Sequence, residues 1–313
     1  MNIYTTIKSL FKAARPIHWV KNLTLFASLV FTGNLYNEIY FDKAFWAFVC
    51  FCLVTSSTYL FNDVLDIKVD RLHPIKKNRP IASGKVPVWI ALALAASLAL
   101  LSLLLADILN HLFFLTIIAY LILQVAYSLG LKNIAILDIL IIAAGFVIRV
   151  YAGAFVIDAH LSVWFLLCVI SAALFLASGK RRAELGIIAK TQQESRKSLT
   201  SYSKPLLDSY VTMFGNAAWL SWALFTFFES PRASLPIWLF LAEISKTTTI
   251  NKLLMITIPV VIFGIMRYES LIFEDRSESP EKVLLTNKSL IASVVIWTLM
   301  VIWILYGGIA SIY

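Results

Sequence analysis

The sequence predicts an all-α, polytopic membrane protein. Of its 313 residues, 60% are hydrophobic, and the mean hydropathy is +0.81. Soluble domains usually have an apolar share of roughly 45–50%. A helix needs about 20 mostly apolar residues to cross the hydrocarbon of a bilayer, and runs of that length recur along the whole chain. We therefore expect membrane-spanning helices rather than a soluble core.

The apolar runs predict nine spans. They lie near residues 22–38, 43–65, 86–107, 110–129, 134–157, 161–179, 205–229, 250–272 and 288–311. No tandem repeat, low-complexity tract or soluble domain separates them, so we expect one transmembrane domain over residues 1–313. Its first 21 residues have no apolar core ahead of a small-residue cleavage site, so we expect no cleavable signal peptide and a short segment, 1–21, outside the membrane.

The basic residues predict the orientation of the spans. All but five of the 27 Lys and Arg residues fall at loops on one side of the membrane. Because cytoplasmic loops carry the excess of Lys and Arg, this side, with the N-terminus, is predicted to be cytoplasmic. The expected location is the cell (inner) membrane. The net charge of +9 then reflects topology and attraction to anionic lipids, and it gives no indication of nucleic-acid binding.

The segment NDVLDIKVD, Asn62 to Asp70, is the strongest chemical motif. Asn62, Asp66 and Asp70 are spaced i, i+4 and i+8, so a continuing helix would stack their oxygens on one face, with Asp63 nearby. Oxygen ligands without His or Cys suit Mg²⁺, which often takes its other ligands from substrate phosphates. We predict Asn62, Asp66 and Asp70 as metal ligands and Asp63, Asp66 and Asp70 as catalytic residues. A solvated helix end is the alternative interpretation.

Basic residues in other segments are candidates for binding the phosphates of such a substrate. They come from RPIHWVKN near the N-terminus, from the loop after the carboxylates, from the fifth span and from GKRRAEL after the sixth span. The predicted substrate-binding residues are Lys21, Asn22, Lys77, Arg79, Arg149, Lys180, Arg181, Arg182 and Glu184. For the terminal and loop residues the alternative is a membrane-surface or positive-inside anchor, and for Arg149 it is a side chain that reaches the interface.

NDVLDIKVD followed by KKNRPIASGKV resembles the first aspartate-rich motif of the UbiA superfamily of intramembrane prenyltransferases. The resemblance extends over essentially the whole chain. It implies nine transmembrane helices around a central cavity open to the cytoplasmic side, with Mg²⁺ and a diphosphate bound there. By position, Asn62, Asp66 and Asp70 match the superfamily's metal ligands, and Asp63 matches its accompanying aspartate.

The chain departs from typical members after the sixth span. Members that alkylate aromatic rings carry a second DxxxD-type motif there, whereas this chain has GKRRAEL. Together with RPIHWVKN and RYESLIFEDRSESPEKVLL, this sequence resembles the decaprenyl-phosphate phosphoribosyltransferase branch. That branch implies Mg²⁺-dependent transfer of 5-phosphoribose from phosphoribosyl pyrophosphate to a polyprenyl phosphate, for cell-wall or surface-polysaccharide precursors. GKRRAEL would hold either the ribose 5-phosphate or the lipid phosphate.

Two other functions stay open at this point. A prenyltransferase that moves a polyprenyl group from its diphosphate to an aromatic or quinone-precursor acceptor would use the same first motif. A lipid carrier or transporter could bind a coupled cation at the carboxylates, but it would be expected to show inverted repeats and broken helices. The sequence does not decide between a monomer and a homo-oligomer, and it does not give the length of the polyprenyl chain.

Overall fold

The structure is a computed structural model, and the residues it describes are 3–72, 76–191, 197–229, 231, 250–274, 283 and 286–307. Within these ranges every regular element is helical, which agrees with the predicted fold class. Parts of two predicted features lie outside these residues: 275–282 and 284–285 of the motif before the last span, and 308–311 of the ninth span.

The helices follow one another with short connections along most of the chain. The α-helices are α1 (Ile3–Ala13), α2 (Phe26–Phe31), α3 (Glu38–Leu65), α4 (Ile67–Leu72), α5 (Val88–Leu109), α6 (His111–Leu129), α7 (Leu137–Val156), α8 (Val163–Thr191), α9 (Lys197–Thr200), α10 (Lys204–Phe228), α11 (Ile258–Phe273) and α12 (Lys288–Tyr306). Segments of 3₁₀-helix lie at Pro16–Leu25, Lys76–Asn78, Leu131–Asn133 and Ile250–Thr257.

Eight helices in the described ranges are long and apolar enough to cross a membrane, so the protein is a multi-pass membrane protein. They correspond to the second through ninth predicted spans. The predicted first span, 22–38, is not one helix. It contains the end of the 3₁₀ segment Pro16–Leu25 and the short helix α2, which ends before Gly33 at a φ of +78°. A left-handed residue cannot continue an α-helix, so the prediction of nine spanning helices is not confirmed.

The chain divides into two compact units, which we describe separately. The first contains residues 1–29, 36–141 and 148–159, and the second contains residues 30–35, 142–147 and 160–313.

In the first unit, α3 is the helix against which the others pack. Small polar residues allow α5 to approach α3 closely: Ser57 Oγ donates to the Ala95 carbonyl at 2.7 Å, and Ser102 Oγ donates to the Cys50 carbonyl at 2.9 Å. Small residues and interhelical hydrogen bonds are the usual means of helix association in lipid, where apolar burial alone gives no driving force. The α3–α5 pair is therefore the frame on which the polar end of α3 is presented.

In the second unit, α8 packs against α10, and α11 packs against α10 and α12. Gly179 of α8 permits close approach of α11, because a Cβ atom there would lie 2.7 Å from the Tyr268 hydroxyl and 2.8 Å from Ile272 Cδ1. Phe31 inserts into a cluster of aromatic rings from three helices. Its ring centroid lies 5.0 Å from that of Phe165 and 5.7 Å from that of Trp222. These contacts bury large side chains within the unit.

Candidate active site

The polar end of α3 carries the four residues that the sequence predicted as one cluster. Regular α-helix is interrupted at Asp66, yet the backbone bonds continue: Asp66 N donates to the Asn62 carbonyl at 3.0 Å, and Asp70 N donates to the Asp66 carbonyl at 2.8 Å. The predicted i, i+4, i+8 register is therefore kept across the junction of α3 and α4. Asp63 and Asp70 are each only 2% exposed. Buried carboxylates need partners, and this cluster has cationic ones.

Lys132 provides the first of these cations. Its Nζ lies 2.6 Å from Asp66 Oδ1 and 3.3 Å from Asn62 Oδ1, while Asn62 Nδ2 donates to Asp66 Oδ2 at 3.1 Å. The lysine comes from the 3₁₀ turn Leu131–Asn133 between α6 and α7 and is itself buried. Two side-chain oxygens from adjacent helical turns thus point at one positive charge.

Arg79 and Arg15 provide the other cations. Arg79 Nη1 lies 2.6 Å from Asp70 Oδ2 and 3.1 Å from Asp63 Oδ1, and Arg15 Nη2 lies 2.5 Å from the same Asp63 oxygen. Contacts of residues 80, 81 and 86 place Arg79 beside these carboxylates. Buried Ile81 packs with Leu60 of α3, and Val86 N donates to the Pro80 carbonyl at 3.0 Å. Arg15, Asp63, Arg79 and Asp70 thus form a chain of ion pairs in which cations and carboxylates alternate.

The N-terminal 3₁₀ segment, Pro16–Leu25, carries Arg15 to this chain of ion pairs. A 3₁₀ helix has three residues per turn, so residues i, i+3 and i+6 share one face. Trp19, Asn22 and Leu25 form the face that packs inward: Trp19 Nε1 donates to Ser56 Oγ at 3.0 Å, and Asn22 and Leu25 are fully buried. The second face is exposed, and it consists of Ile17, Val20 and Leu23. Its apolar composition suits contact with lipid.

Arg149 of α7 is buried within the first unit, at 5% exposure. Its Nε donates to Asn22 Oδ1 at 2.8 Å and its Nη2 donates to the Tyr120 hydroxyl at 2.9 Å, with the guanidinium 5.0 Å from the centroid of the Tyr120 ring. Lys21, the neighbour of Asn22 in the 3₁₀ segment, is partly exposed. The sequence predicted Arg149 as a substrate-binding residue, and its contacts in the structure are with the side chains of Asn22 and Tyr120. Substrate binding by Arg149 stays a prediction.

GKRRAEL continues helix α8 in the second unit. Arg181 is fully buried, and its Nη1 donates to Glu184 Oε2 at 2.5 Å. Arg182 Nε donates to Asp208 Oδ1 of α10 at 2.5 Å, and its guanidinium lies 5.8 Å from the centroid of the Phe273 ring. Lys180 is partly exposed. Both arginines thus contact carboxylates of the protein, and phosphate binding by this segment stays a prediction.

The structure therefore brings together some of the predicted residues and adds others. Asn62 and Asp66 form one group with Lys132, and Asp63, Asp70 and Arg79 form a second group with Arg15. Lys77 is exposed in its 3₁₀ turn. Arg15 and Lys132 were not among the residues predicted for this site. Arg15 stands in the quoted RPIHWVKN motif, and Lys132 is the sole basic residue between the fourth and fifth predicted spans, so both positions were visible as basic residues near span ends.

The donor set fits a hard cation in its chemistry. Across the described ranges, no group of three or more His, Cys, Asp or Glu side chains stands close enough to hold a metal ion. The oxygens of Asn62 and Asp66 nevertheless converge on a single cation, the Lys132 ammonium. Mg²⁺ is typically held by one or two carboxylates, with waters and substrate phosphates completing its octahedron. The side-chain oxygens of Asn62 and Asp66 would therefore be enough protein ligands for such a site.

Comparisons with known proteins agree with this interpretation of the fold and motif. Residues 22–241 match the UbiA prenyltransferase family. The chain is 42% identical over 225 residues to the decaprenyl-phosphate phosphoribosyltransferase of Mycolicibacterium smegmatis, covering 71% of each protein. It is 32% identical over 299 residues to the enzyme of that name from Corynebacterium glutamicum, covering 94% of this chain and 86% of the relative.

Solved structures show the same fold. A UbiA homologue from Archaeoglobus fulgidus, bound to GPP and Mg²⁺, superposes with a TM-score of 0.69 at 18% sequence identity, over 96% of this chain and 99% of the other. The sequence match alone extends over more than half of the chain, and the fold agrees with it. The chain belongs to the UbiA prenyltransferase family.

Proposed function

We propose that this protein transfers 5-phosphoribose from phosphoribosyl pyrophosphate to a polyprenyl phosphate and releases pyrophosphate, with Mg²⁺ as cofactor. The observation that carries the proposal is the 32% identity to the decaprenyl-phosphate phosphoribosyltransferase of Corynebacterium glutamicum, which extends over 94% of this chain. The carboxylates at the end of α3 and their cationic partners also support the proposal, because a pyrophosphate leaving group needs both a metal ion and cationic side chains.

The ion would be held by Asn62 and Asp66, with Asp70 as the third predicted ligand, and when bound it would neutralise charge on the departing pyrophosphate. Around it, the protein's own cations would bind the phosphates. Both contacts that Arg79 makes with Asp63 and Asp70 use Nη1. The other guanidinium N–H groups of Arg79 are directed elsewhere and can bind a phosphate oxygen. Lys132 would turn from the carboxylate to the same pyrophosphate.

The reaction itself demands little acid or base chemistry. The bond between ribose C1 and the pyrophosphate oxygen breaks, its electron pair leaves with pyrophosphate, and an oxygen of the lipid phosphate forms the new bond to C1. Because the lipid phosphate is already an anion, no general base has to remove a proton from it. The demand is to hold two anions together, and a network with several Lys and Arg side chains supplies it.

The location follows from the two substrates. A polyprenyl phosphate is confined to a bilayer, whereas phosphoribosyl pyrophosphate is a highly charged, water-soluble donor. The site therefore has to lie at a membrane face, and the excess of basic residues supports the cytoplasmic face of the cell membrane. The product, a polyprenyl-phosphoryl pentose phosphate, is suited to the synthesis of cell-wall or surface-polysaccharide precursors.

The test is transfer of label from ribose-labelled phosphoribosyl pyrophosphate into a lipid-extractable product, with purified protein, polyprenyl phosphate and Mg²⁺. The proposal predicts a labelled lipid whose formation stops on addition of EDTA. A parallel reaction supplies a labelled prenyl diphosphate and an aromatic acceptor such as 4-hydroxybenzoate. Product in that reaction, without transfer from phosphoribosyl pyrophosphate, would reject the proposal and assign the protein to the aromatic prenyltransferases.

A further inference from the structure

The N-terminal 3₁₀ segment is unusual backbone for its place in the protein. It extends over ten residues, whereas 3₁₀ runs are commonly no longer than three or four. It also lies at the start of the predicted first span. Irregular backbone at membrane depth is tolerated where it is buried against protein, because lipid cannot satisfy its polar groups. The segment must therefore pack closely against protein, and helices α7 and α3 provide the packing surface.

Helix α7 provides one side of this packing surface through Arg149 and Gly153. These two residues are spaced i and i+4, so they lie on one face of the helix. Gly153 allows the segment to come very close. A Cβ atom at this position would overlap the Leu25 carbonyl and would lie 2.7 Å from Ser28 Oγ. The carbonyl belongs to the backbone and cannot rotate away, so a side chain at position 153 would push the segment off α7.

Arg149, one turn before Gly153, holds the segment by hydrogen bonds. Its Nε donates to Asn22 Oδ1, and the same Asn22 side chain donates through Nδ2 to Thr55 Oγ1 of α3 at 3.3 Å. Asn22 thus connects α7 to α3 through the 3₁₀ segment. The second donor of Arg149 contacts the Tyr120 hydroxyl, which fixes the guanidinium against α6. These bonds are worth more in a buried setting than at a surface, because the alternative is an unsatisfied charge.

The end of this chain of contacts is Arg15. It precedes the segment with φ 54° and ψ 58°, a left-handed conformation that is unfavourable for a residue with a Cβ atom. Such a residue persists where the surroundings determine its position. Here the 3₁₀ segment fixes the chain on one side, and the guanidinium reaches Asp63 on the other. The turn at Arg15 is therefore maintained by contacts made several residues further along.

From these observations we infer that Arg149 and Gly153 are positioning residues. They keep the N-terminal 3₁₀ segment packed against α7 and so maintain the ion pair between Arg15 and Asp63. The inference rests on the proposed function for its activity readout. It assigns to Arg149 an indirect role in place of substrate binding. Arg15 shares the Asp63 oxygen with Arg79, so its loss would leave Arg79 as the remaining cation on that buried carboxylate and draw Arg79 away from the pyrophosphate.

A double-mutant cycle tests the inference. The variants are Arg149→Met, Gly153→Ala, Arg15→Ala and the two pairs that combine either of the first with the third. We expect each single change to lower kcat by roughly 10- to 100-fold, as for other residues that orient an active site. Each pair should be no worse than Arg15→Ala alone, because all three changes act through Arg15. Arg149→Lys should restore part of kcat, since one ammonium can still donate to Asn22.

Gly264→Ala in α11 is the matched control, because a Cβ atom there would stand at an ordinary 3.4 Å from Ser293 Oγ. It should leave kcat near that of the unaltered protein. Multiplicative losses in the paired variants would overturn the inference, because Arg149 and Gly153 would then act independently of Arg15. A large rise in KM for one substrate with Arg149→Met, and an unchanged kcat, would also overturn it and place Arg149 in direct contact with that substrate.

Thermal unfolding in detergent separates failure of this inference from failure of the proposed function. If the unaltered protein does not transfer phosphoribose, the same cycle is read from Tm. Arg15→Ala should lower Tm in the unaltered background and leave it unchanged in the Gly153→Ala background, where the contact with Asp63 is already lost. Equal lowering in both backgrounds would overturn the inference. Where Arg149→Met yields no folded protein, the Gly153→Ala arm completes the cycle.

Discussion

At the scale of single residues, the polar end of α3 combines side chains placed by one helical register with cations from distant parts of the chain. Asn62, Asp66 and Asp70 are brought together by one helical register, which depends only on local sequence, and that grouping was predicted. Arg15 contacts Asp63 from 48 residues away, and Lys132 contacts Asp66 from 66 residues away. No periodicity relates such positions. A single sequence therefore predicts which acidic residues lie together, but it does not show which of the many basic residues pair with them.

Asp66 gives the most direct test of these acidic residues. We expect Asp66→Asn to lower kcat roughly 100-fold and to raise the Mg²⁺ concentration that gives half-maximal rate, because an amide oxygen is a weaker ligand for a hard cation. The fold should persist, since the amide oxygens of positions 62 and 66 can still accept from Lys132. Initial rates at a series of Mg²⁺ concentrations measure both effects.

Asp107→Asn is the control for this substitution, because Asp107 is an exposed carboxylate near the end of α5. It should leave both the rate and the Mg²⁺ dependence unchanged. An Asp66→Asn protein with the unaltered Mg²⁺ dependence would remove Asp66 from the metal site, even if its rate were lower.

At the scale of helices, hydropathy located the spans but misjudged two features. Helix α3 begins at Glu38, five residues before the predicted start of the span at residue 43. The predicted start was late because Glu38, Asp42 and Lys43 lower the hydropathy of the first turns of the helix. Asn37 caps this start by accepting from the backbone N–H of Ile39 and Tyr40. Residues 22–38 are apolar enough to predict a span, yet this stretch begins within the 3₁₀ segment Pro16–Leu25, where exposed and buried residues alternate with a period of three. Mean hydropathy does not detect such a difference in period.

The pairing of α8 with α10 also involves residues that the sequence assigned to phosphate binding. Arg182 of α8 donates to Asp208 of α10, so we expect Arg182→Met to destabilise this pair by about 1.5–3 kcal/mol, the usual worth of a hydrogen bond to a charged group. The expected result is a lower Tm in detergent, with KM for both substrates unchanged in the folded fraction.

Lys180→Ala is the matched change for this experiment, because Lys180 is the partly exposed neighbour in the same motif. It should leave Tm unchanged and raise KM for whichever phosphorylated substrate it contacts. The opposite pattern for Arg182→Met, an unchanged Tm with a raised KM, would show that Arg182 binds substrate and that its contact with Asp208 contributes little to stability.

At the scale of the whole molecule, composition alone identified a membrane protein, and the motifs alone indicated its family. Both predictions were confirmed, the first by the eight helices able to cross a membrane in the part of the chain that the structure describes, and the second by the family match over residues 22–241. Both are global properties that many residues determine together, so no single misplaced boundary affects them. The orientation of the chain is a further global property, and it still depends on the distribution of Lys and Arg alone.

The predicted orientation of the chain determines which end of α5 faces the cytoplasm. Ser83 precedes this helix in the basic loop, and Asp107 lies near its other end; both are exposed. In a protein with Cys50, Cys52 and Cys168 replaced, a membrane-impermeant maleimide should label Ser83→Cys only in inside-out vesicles. It should label Asp107→Cys only in right-side-out vesicles, because the positive-inside rule places the basic loop on the cytoplasmic face. The reverse pattern would invert the molecule and move the carboxylates at the end of α3 to the outer face, where a cytosolic phosphoribosyl donor cannot reach them. Labelling of both positions from one side would mean that α5 does not cross the membrane.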